Sequence, residues 1–361
     1  MALDHARDFF GTSGWDPSFA TSSAPTFLTR WVTHFCAPVF VLLAGAGAGI
    51  SLQRGKPKRE LAWFLLTRGA WLALIDVTVI SFSWFFRIGN PWVTDVMWAI
   101  GWSMIVLAGL VYLPVWATTA LGALLVAGHN VVDGIHADAL GSASWLWKIL
   151  HEQGIITFPS RATWFVGYPL VPWIAVMALG YSLGFLLTME PARRRRQLIV
   201  LGITVVVTFV VLRAADVYGD PQRWAPGGTL LQTIFSFVAC HKYPPSLLFL
   251  AMTLGPALLA LAALDHVRAS PSNPLLVFGR VPLFFYVIHL YLIHFAAGLW
   301  FYPRLGMAAF HVDPDAPPPG FGVPLAAVYV VWAAAVALMY PPCRWFAGVK
   351  QRRRSAWLSY F

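Results

Sequence analysis

The chain has 361 residues, of which 58% are hydrophobic and only 11% charged, and its mean hydropathy is +0.67. A soluble domain carries roughly 25% charged residues, so this composition excludes a water-facing globule and points to an all-α, polytopic bundle in a lipid bilayer. The net charge of +10 does not make nucleic acid a partner, because the basic residues gather in short loops beside apolar segments, as the positive-inside rule requires.

Windows of about twenty apolar residues predict spans near 29–52, 61–86, 93–113, 115–130, 166–188, 198–213, 245–264, 281–300 and 324–341. With a shortened helix at the start, this makes about ten transmembrane helices in a single domain over 1–361. Basic loops follow at Arg54 to Arg59, at Arg193 to Arg196, around Arg268 and Arg280, and from Arg344 through Arg354. Taking each as cytoplasmic satisfies the alternation of spans. Residues 131–165, 214–244 and 301–323 are then expected outside, and the C-terminus inside. Within the first of these loops, Trp145 to Leu150 predicts a short interfacial helix. In the last, Asp313 to Gly320 reads as a turn-rich cap that cannot be helical.

Ionisable groups inside such spans are functional candidates, since hydrocarbon penalises a charge without a partner. The densest cluster comes first, in Leu3-Asp4-His5-Ala6-Arg7-Asp8-Phe9-Phe10. On a helix, Asp4 and Asp8 share a face, and His5 reaches Asp8 at i, i+3. A carboxylate against one imidazole nitrogen fixes the tautomer and leaves the other basic. A solvated helix end with surface ion pairs fits the same residues. Arg30 and His34 follow one turn apart, with Pro38 placed to free the His34 carbonyl and open a polar notch. There, His34 reads as functional and Arg30 as an interface anchor.

Small residues Gly45 and Gly49 predict close helix packing. Arg68 and Asp76 lie two turns apart, so each is expected to bond a neighbouring helix, as is Asp95. Tyr286 and His289 share one face of a later span, whereas His289 and His294 diverge. No zinc motif occurs in the sequence, and Cys36, Cys240 and Cys343 have no ligand or disulfide spacing, so no metal is expected. His129-Asn130 with Asp133, and His241 to Pro245, sit at outer helix ends and fit either a cavity mouth or helix caps.

These segments resemble the heparan-α-glucosaminide N-acetyltransferase catalytic-domain family, in its bacterial branch, within the transmembrane acyltransferase superfamily. The resemblance rests on Leu3 to Phe10, Thr29 to Gly45, Gly167 through Gly184, Tyr218-Gly219-Asp220-Pro221, Lys242 to Leu247 and Gly279 to His289. It implies acetyl transfer from acetyl-CoA to a sugar amine across a membrane, with a catalytic histidine after the first helix. The matching stretch, Gly11 to Phe27, holds no histidine, so His5 and His34 stand as substitutes. The family also has a full first helix with an acidic residue and an Arg-Gly pair ahead of Asp4-His5. Its inner part is expected upstream of Met1.

The activity expected from sequence is therefore acyl transfer from cytoplasmic acyl-CoA to an extracytoplasmic, carbohydrate-like acceptor. His5 or His34 would act as base, oriented by Asp4 or Asp8, with Arg7 or Arg30 stabilising the oxyanion. Arg68, Arg280 and His289 are the candidate contacts to the co-substrate acyl-CoA, and no bound cofactor is expected. A homodimer is left open. The competing reading is a proton-coupled transporter or flippase that uses the same buried histidines.

Overall fold

The computed structural model describes residues 1–12, 23–88, 91–313, 316–353 and 358. In chain order, short helix α1 (Ala2–Phe10) is followed by α2 (Ala24–Thr33) and α3 (Cys36–Gln53). The next span is α4 (Lys58–Ile75), continued by a π-helical turn at Asp76–Ile80 and α5 (Ser81–Phe85). Strand β1 (Trp92–Thr94) leads to α6 (Val96–Leu110) and α7 (Val115–Gly128). After 3₁₀ turns come α8 (Ser144–Leu150), β2 (Gly154–Thr157) and β3 (Thr163–Val166). Then follow α9 (Leu170–Leu187), α10 (Pro191–Ala215), α11 (Leu230–Val238) and α12 (Leu247–Leu264). The chain closes with α13 (Pro274–Arg280), α14 (Pro282–Leu305) and α15 (Leu325–Arg352).

Eight described helical segments are long and apolar enough to cross a bilayer, and Val96–Leu110 is a shorter apolar one. With α1 they account for the ten helices expected. Among the described residues, regular structure is helical except for one small sheet, ordered β1-β3-β2, that the hydropathy pattern did not announce. β3 runs parallel to β1 and antiparallel to β2. The interfacial helix expected near Trp145 is α8. The proposed cap at 313–320 is non-helical where described, and its Pro314 and Asp315 lie outside the described residues. So do residues 13–22, within the stretch where the resemblance implies a catalytic histidine, and Arg354.

Contacts group the chain into two compact units. The first holds Met1–Thr33, Thr78–Gly89 and Arg268–Phe361. There α1 packs on α14 and α15, and the Phe10 carbonyl accepts a hydrogen bond from the Val323 amide at 2.8 Å. Val277, Val281, Met339, Cys343 and Phe346 form an apolar core among α13, α14 and α15.

The second unit holds His34–Val77 and Asn90–Val267. Its framework is α3 against α9, α4 against α6, α7 against α9, and α10 against α12. Lipid tails are as apolar as leucine, so close backbone packing and polar cross-links hold such helices together. The small residues do this work at the α3–α9 crossing. A Cβ on Gly45 would strike the Met177 carbonyl, and one on Gly180 would strike the Leu42 carbonyl. Thr119 of α7 bonds Ser182 of α9 at 2.6 Å.

Two local breaks follow from sequence chemistry. Helix α2 stops at Thr33 and α3 begins at Cys36, because Pro38 has no N–H to offer the His34 carbonyl. The π-helical turn begins at Asp76, whose Oδ2 accepts the Asp95 amide at 2.8 Å. Asp95 in turn caps α6 through Val96. Asp76 thus bonds the next helix, as its position in hydrocarbon demands.

The α3–α9 contact makes a clear prediction. Gly180→Leu should destabilise the protein by about 1–3 kcal/mol, the usual cost of overpacking. Gly47→Leu, on the open side of α3 with nothing within 4 Å, should be near neutral. Thermal unfolding in detergent measures both, and equal effects would dismiss the glycine seam.

Candidate active site

Helix α1 carries Asp4 in its first turn and Arg7 in its last, an order that suits the helix dipole. Its two turns deliver four ionisable side chains to the interior of the first unit. The Arg7 side chain is 1% exposed, and its Nη2 donates to Asp8 Oδ1 at 2.6 Å and to Asp4 Oδ1 at 3.2 Å. Arg30 of α2 donates through Nη1 to both oxygens of Asp4, at 2.8 and 3.0 Å. Two guanidinium groups therefore hold two carboxylates, and Asp4 bridges the cations.

The second oxygen of Asp8 lies 3.8 Å from His5 Nδ1. That is beyond direct hydrogen-bond range but within reach of electrostatic orientation. The i, i+3 relation read from the sequence is thus realised, and Asp8 rather than Asp4 is the carboxylate beside His5. His5 is buried, with ring centroids 5.2 Å from Trp84 and 5.2 Å from His289. Tyr286 lies 6.1 Å away.

His289 is fully buried, and its Nδ1 is 2.7 Å from the Phe285 carbonyl. A carbonyl only accepts, so Nδ1 carries the proton and Nε2 presents its lone pair. That Nε2 has no hydrogen-bond partner among the described residues. His294 is held likewise, its Nδ1 donating to the Ser83 carbonyl at 2.6 Å. Its ring lies between Phe9 and Phe86, with centroids 4.4 and 4.1 Å away. Helical phase separated His289 from His294; the packing of α1 sets His5 against the first and Phe9 against the second.

The other expected site residues are distributed differently. His34 belongs to the second unit, where it is buried against Phe249, 5.3 Å between centroids. Arg68 is half-buried on α4 with its guanidinium 5.7 Å from the Phe64 ring. Arg280 ends α13, exposed, and donates to the Pro271 carbonyl at 3.3 Å. Arg7 and Arg30, expected as oxyanion donors, are both engaged with carboxylates. His289, expected among co-substrate contacts, stands beside His5.

In two polar clusters of the second unit, sequence placed His129, Asp133 and His241 at outer helix ends but missed what completes them, His151 and Asp220. Asp220 Oδ2 accepts the His241 amide at 2.9 Å and the Ser246 hydroxyl at 2.7 Å. Ser246 then caps α12 through Phe249. Asp220 thereby joins the Tyr218–Pro221 and Lys242–Leu247 stretches. Burial and the adjacent Asp220 raise the Cys240 thiol pKa, so Cys240 is no thiolate nucleophile at neutral pH. The second cluster, His129, Asp133 and His151, is the one described group with metal-ligand potential. Its third member lies too far along the chain for any spacing rule to find.

The family model described as heparan-alpha-glucosaminide N-acetyltransferase, catalytic, matches residues 15–214. That is more than half of the 361 residues. The chain belongs to this family. No curated protein matches it. Together with its spanning helices, membership makes this a multi-pass membrane protein of an acyltransferase family. The matched stretch contains Arg30, His34 and the His129 cluster, while α1 and α14 lie outside it.

The buried ion pairs predict an ordered pair of stability losses. Arg7→Met removes the donor shared by Asp8 and Asp4 and should cost about 3–5 kcal/mol, as for a broken buried pair. Arg30→Met leaves Asp4 with Arg7 and should cost less. Thermal unfolding in detergent tests the order, and an equal or reversed ranking would reject Arg7 as the centre of the network.

Proposed function

We propose that this protein transfers an acyl group from a cytoplasmic acyl-CoA to a carbohydrate-like amine or hydroxyl on the opposite side of the membrane. One observation supports this reading most: a buried histidine, His5, sits beside a carboxylate fixed by Arg7, in a chain of an acyltransferase family. His5 takes the acceptor's N–H or O–H proton as general base. The acceptor then bonds the thioester carbonyl carbon, the C–S bond breaks, and the CoA thiolate leaves. Asp8 orients His5. Arg280, in the same unit as His5, is assigned to the anionic CoA moiety.

Positive-inside logic supports an inner-membrane location with the C-terminus of α15 in the cytoplasm. A second reading, proton-coupled transport, draws on one observation: His5 and His289 lie 5.2 Å apart, as in a relay.

The test uses the purified full chain in proteoliposomes with radiolabelled acetyl-CoA and a panel of amino sugars. Labelled product is expected, and His5→Gln should lower kcat by about 10²–10⁴-fold. His34→Gln is expected to act less, because the carboxylate fixed by Arg7 stands beside His5. Absence of transfer, hydrolysis and acyl-CoA binding would defeat the proposal. Uptake that follows pH and ignores acyl-CoA would favour the transporter.

A further inference from the structure

Helix α7 ends at Gly128 and passes into a 3₁₀ turn, His129–Val132, capped by Asp133. The backbone stays right-handed helical at His129 and Asp133, so a separation of four residues puts both side chains on one side of the turn. His151 returns to them as the C-cap of α8. Every residue of this arrangement belongs to the second unit.

The three side chains each offer one ligand atom, and these atoms lie within 4.8 Å of one another. His151 Nε2 is 3.0 Å from Asp133 Oδ1. The other carboxylate oxygen is fixed by Asn130, whose Nδ2 donates to Oδ2 at 2.8 Å. Asn130 is itself held, since its Oδ1 accepts the Leu247 amide at 2.9 Å. Such a support orients a carboxylate toward an ion.

His129 supplies the independent observation. It is 5% exposed, and neither ring nitrogen has a hydrogen-bond partner among the described residues. A buried imidazole in that condition forfeits its hydration without replacement, which makes an ion or water its natural complement. Its ring centroid is 5.7 Å from that of His151.

We propose that His129, Asp133 and His151 bind a divalent transition-metal cation, and that the cation is Zn²⁺. Two imidazoles and one carboxylate are the donor set of three-ligand zinc sites that keep a fourth position open. At Zn–N and Zn–O distances near 2.0–2.1 Å, ligand atoms on a tetrahedron lie roughly 3.3 Å apart. The 3.0 Å pair is close to that spacing, and the widest separation of 4.8 Å closes with a movement of about 1.5 Å. Partial exposure of the Asp133 side chain, 20%, gives the ion a way in. On binding, the imidazole of His151 ligates through Nε2 as its neutral Nδ1–H tautomer, and the ion replaces the proton that faced Asp133. The ion then ties the end of α7 to the end of α8, with one coordination position left for water or a small ligand.

The experiment takes the full-length protein in detergent, stripped with a chelator, reloaded with ZnCl₂ and desalted. Elemental analysis should find zinc at about one equivalent per chain. His129→Phe keeps an aromatic ring in the buried site and should reduce the zinc about tenfold or more. Asn130→Ala should weaken affinity about 10- to 100-fold, as loss of a ligand-orienting partner does. In parallel, Co²⁺ added to the stripped wild-type protein should give tetrahedral visible absorption that Zn²⁺ abolishes. Wild-type zinc no higher than in His129→Phe, or a stripped wild type without a Zn²⁺-sensitive cobalt spectrum, would overturn the proposal. The cobalt titration decides alone if the variants do not fold.

Discussion

Hydrocarbon offers no hydrogen bonds, so every charge drawn into the helical interior must meet its partner inside the protein. Arg7 is where this constraint acts most strongly. Its guanidinium joins Asp4 and Asp8 within α1, and Asp4 carries the link on to Arg30 of α2. A nine-residue helix has too few internal bonds to be stable alone. The ion pairs and the packing on α14 and α15 give it a defined place. His5 owes its orientation to that anchorage, because the residue that holds Asp8 also holds the helix.

The second unit meets the same constraint by other means. Its spans are apolar on nearly every side, so amphipathic burial cannot orient them. Shape does so where Gly45 and Gly49 of α3 meet Gly180 and Gly184 of α9. Bonds such as Asp76 to the Asp95 amide then fix how far one helix is turned against the next. Asp220 performs the equivalent task among the loops, drawing His241 and Ser246 together at the start of α12. Such geometry lets polar groups gather at helix ends without breaking the apolar spans.

The helices, their order and the basic loops could be read from sequence because both signals are local. Twenty apolar residues declare a span whatever they pack against, and Pro38 marks a break through its missing N–H. The i, i+3 relation of His5 and Asp8 was equally readable, since helical phase decides it. The strands at 92–94, 154–157 and 163–166 were not, being too short for an alternation to stand out, and the first of them pairs with the last across some seventy residues.

Composition and periodicity by themselves determined a multi-pass helical protein with charged residues inside its spans. Tertiary structure decided which of those residues meet. Arg30 finds Asp4 across 26 residues, His5 finds His289 on α14, and His151 finds Asp133 across a turn, a helix and a loop. The physical reason is one of range: propensity, hydropathy and helical phase act over a few residues. The pairing of charges and rings depends on how helices distant in sequence pack, which no short window contains.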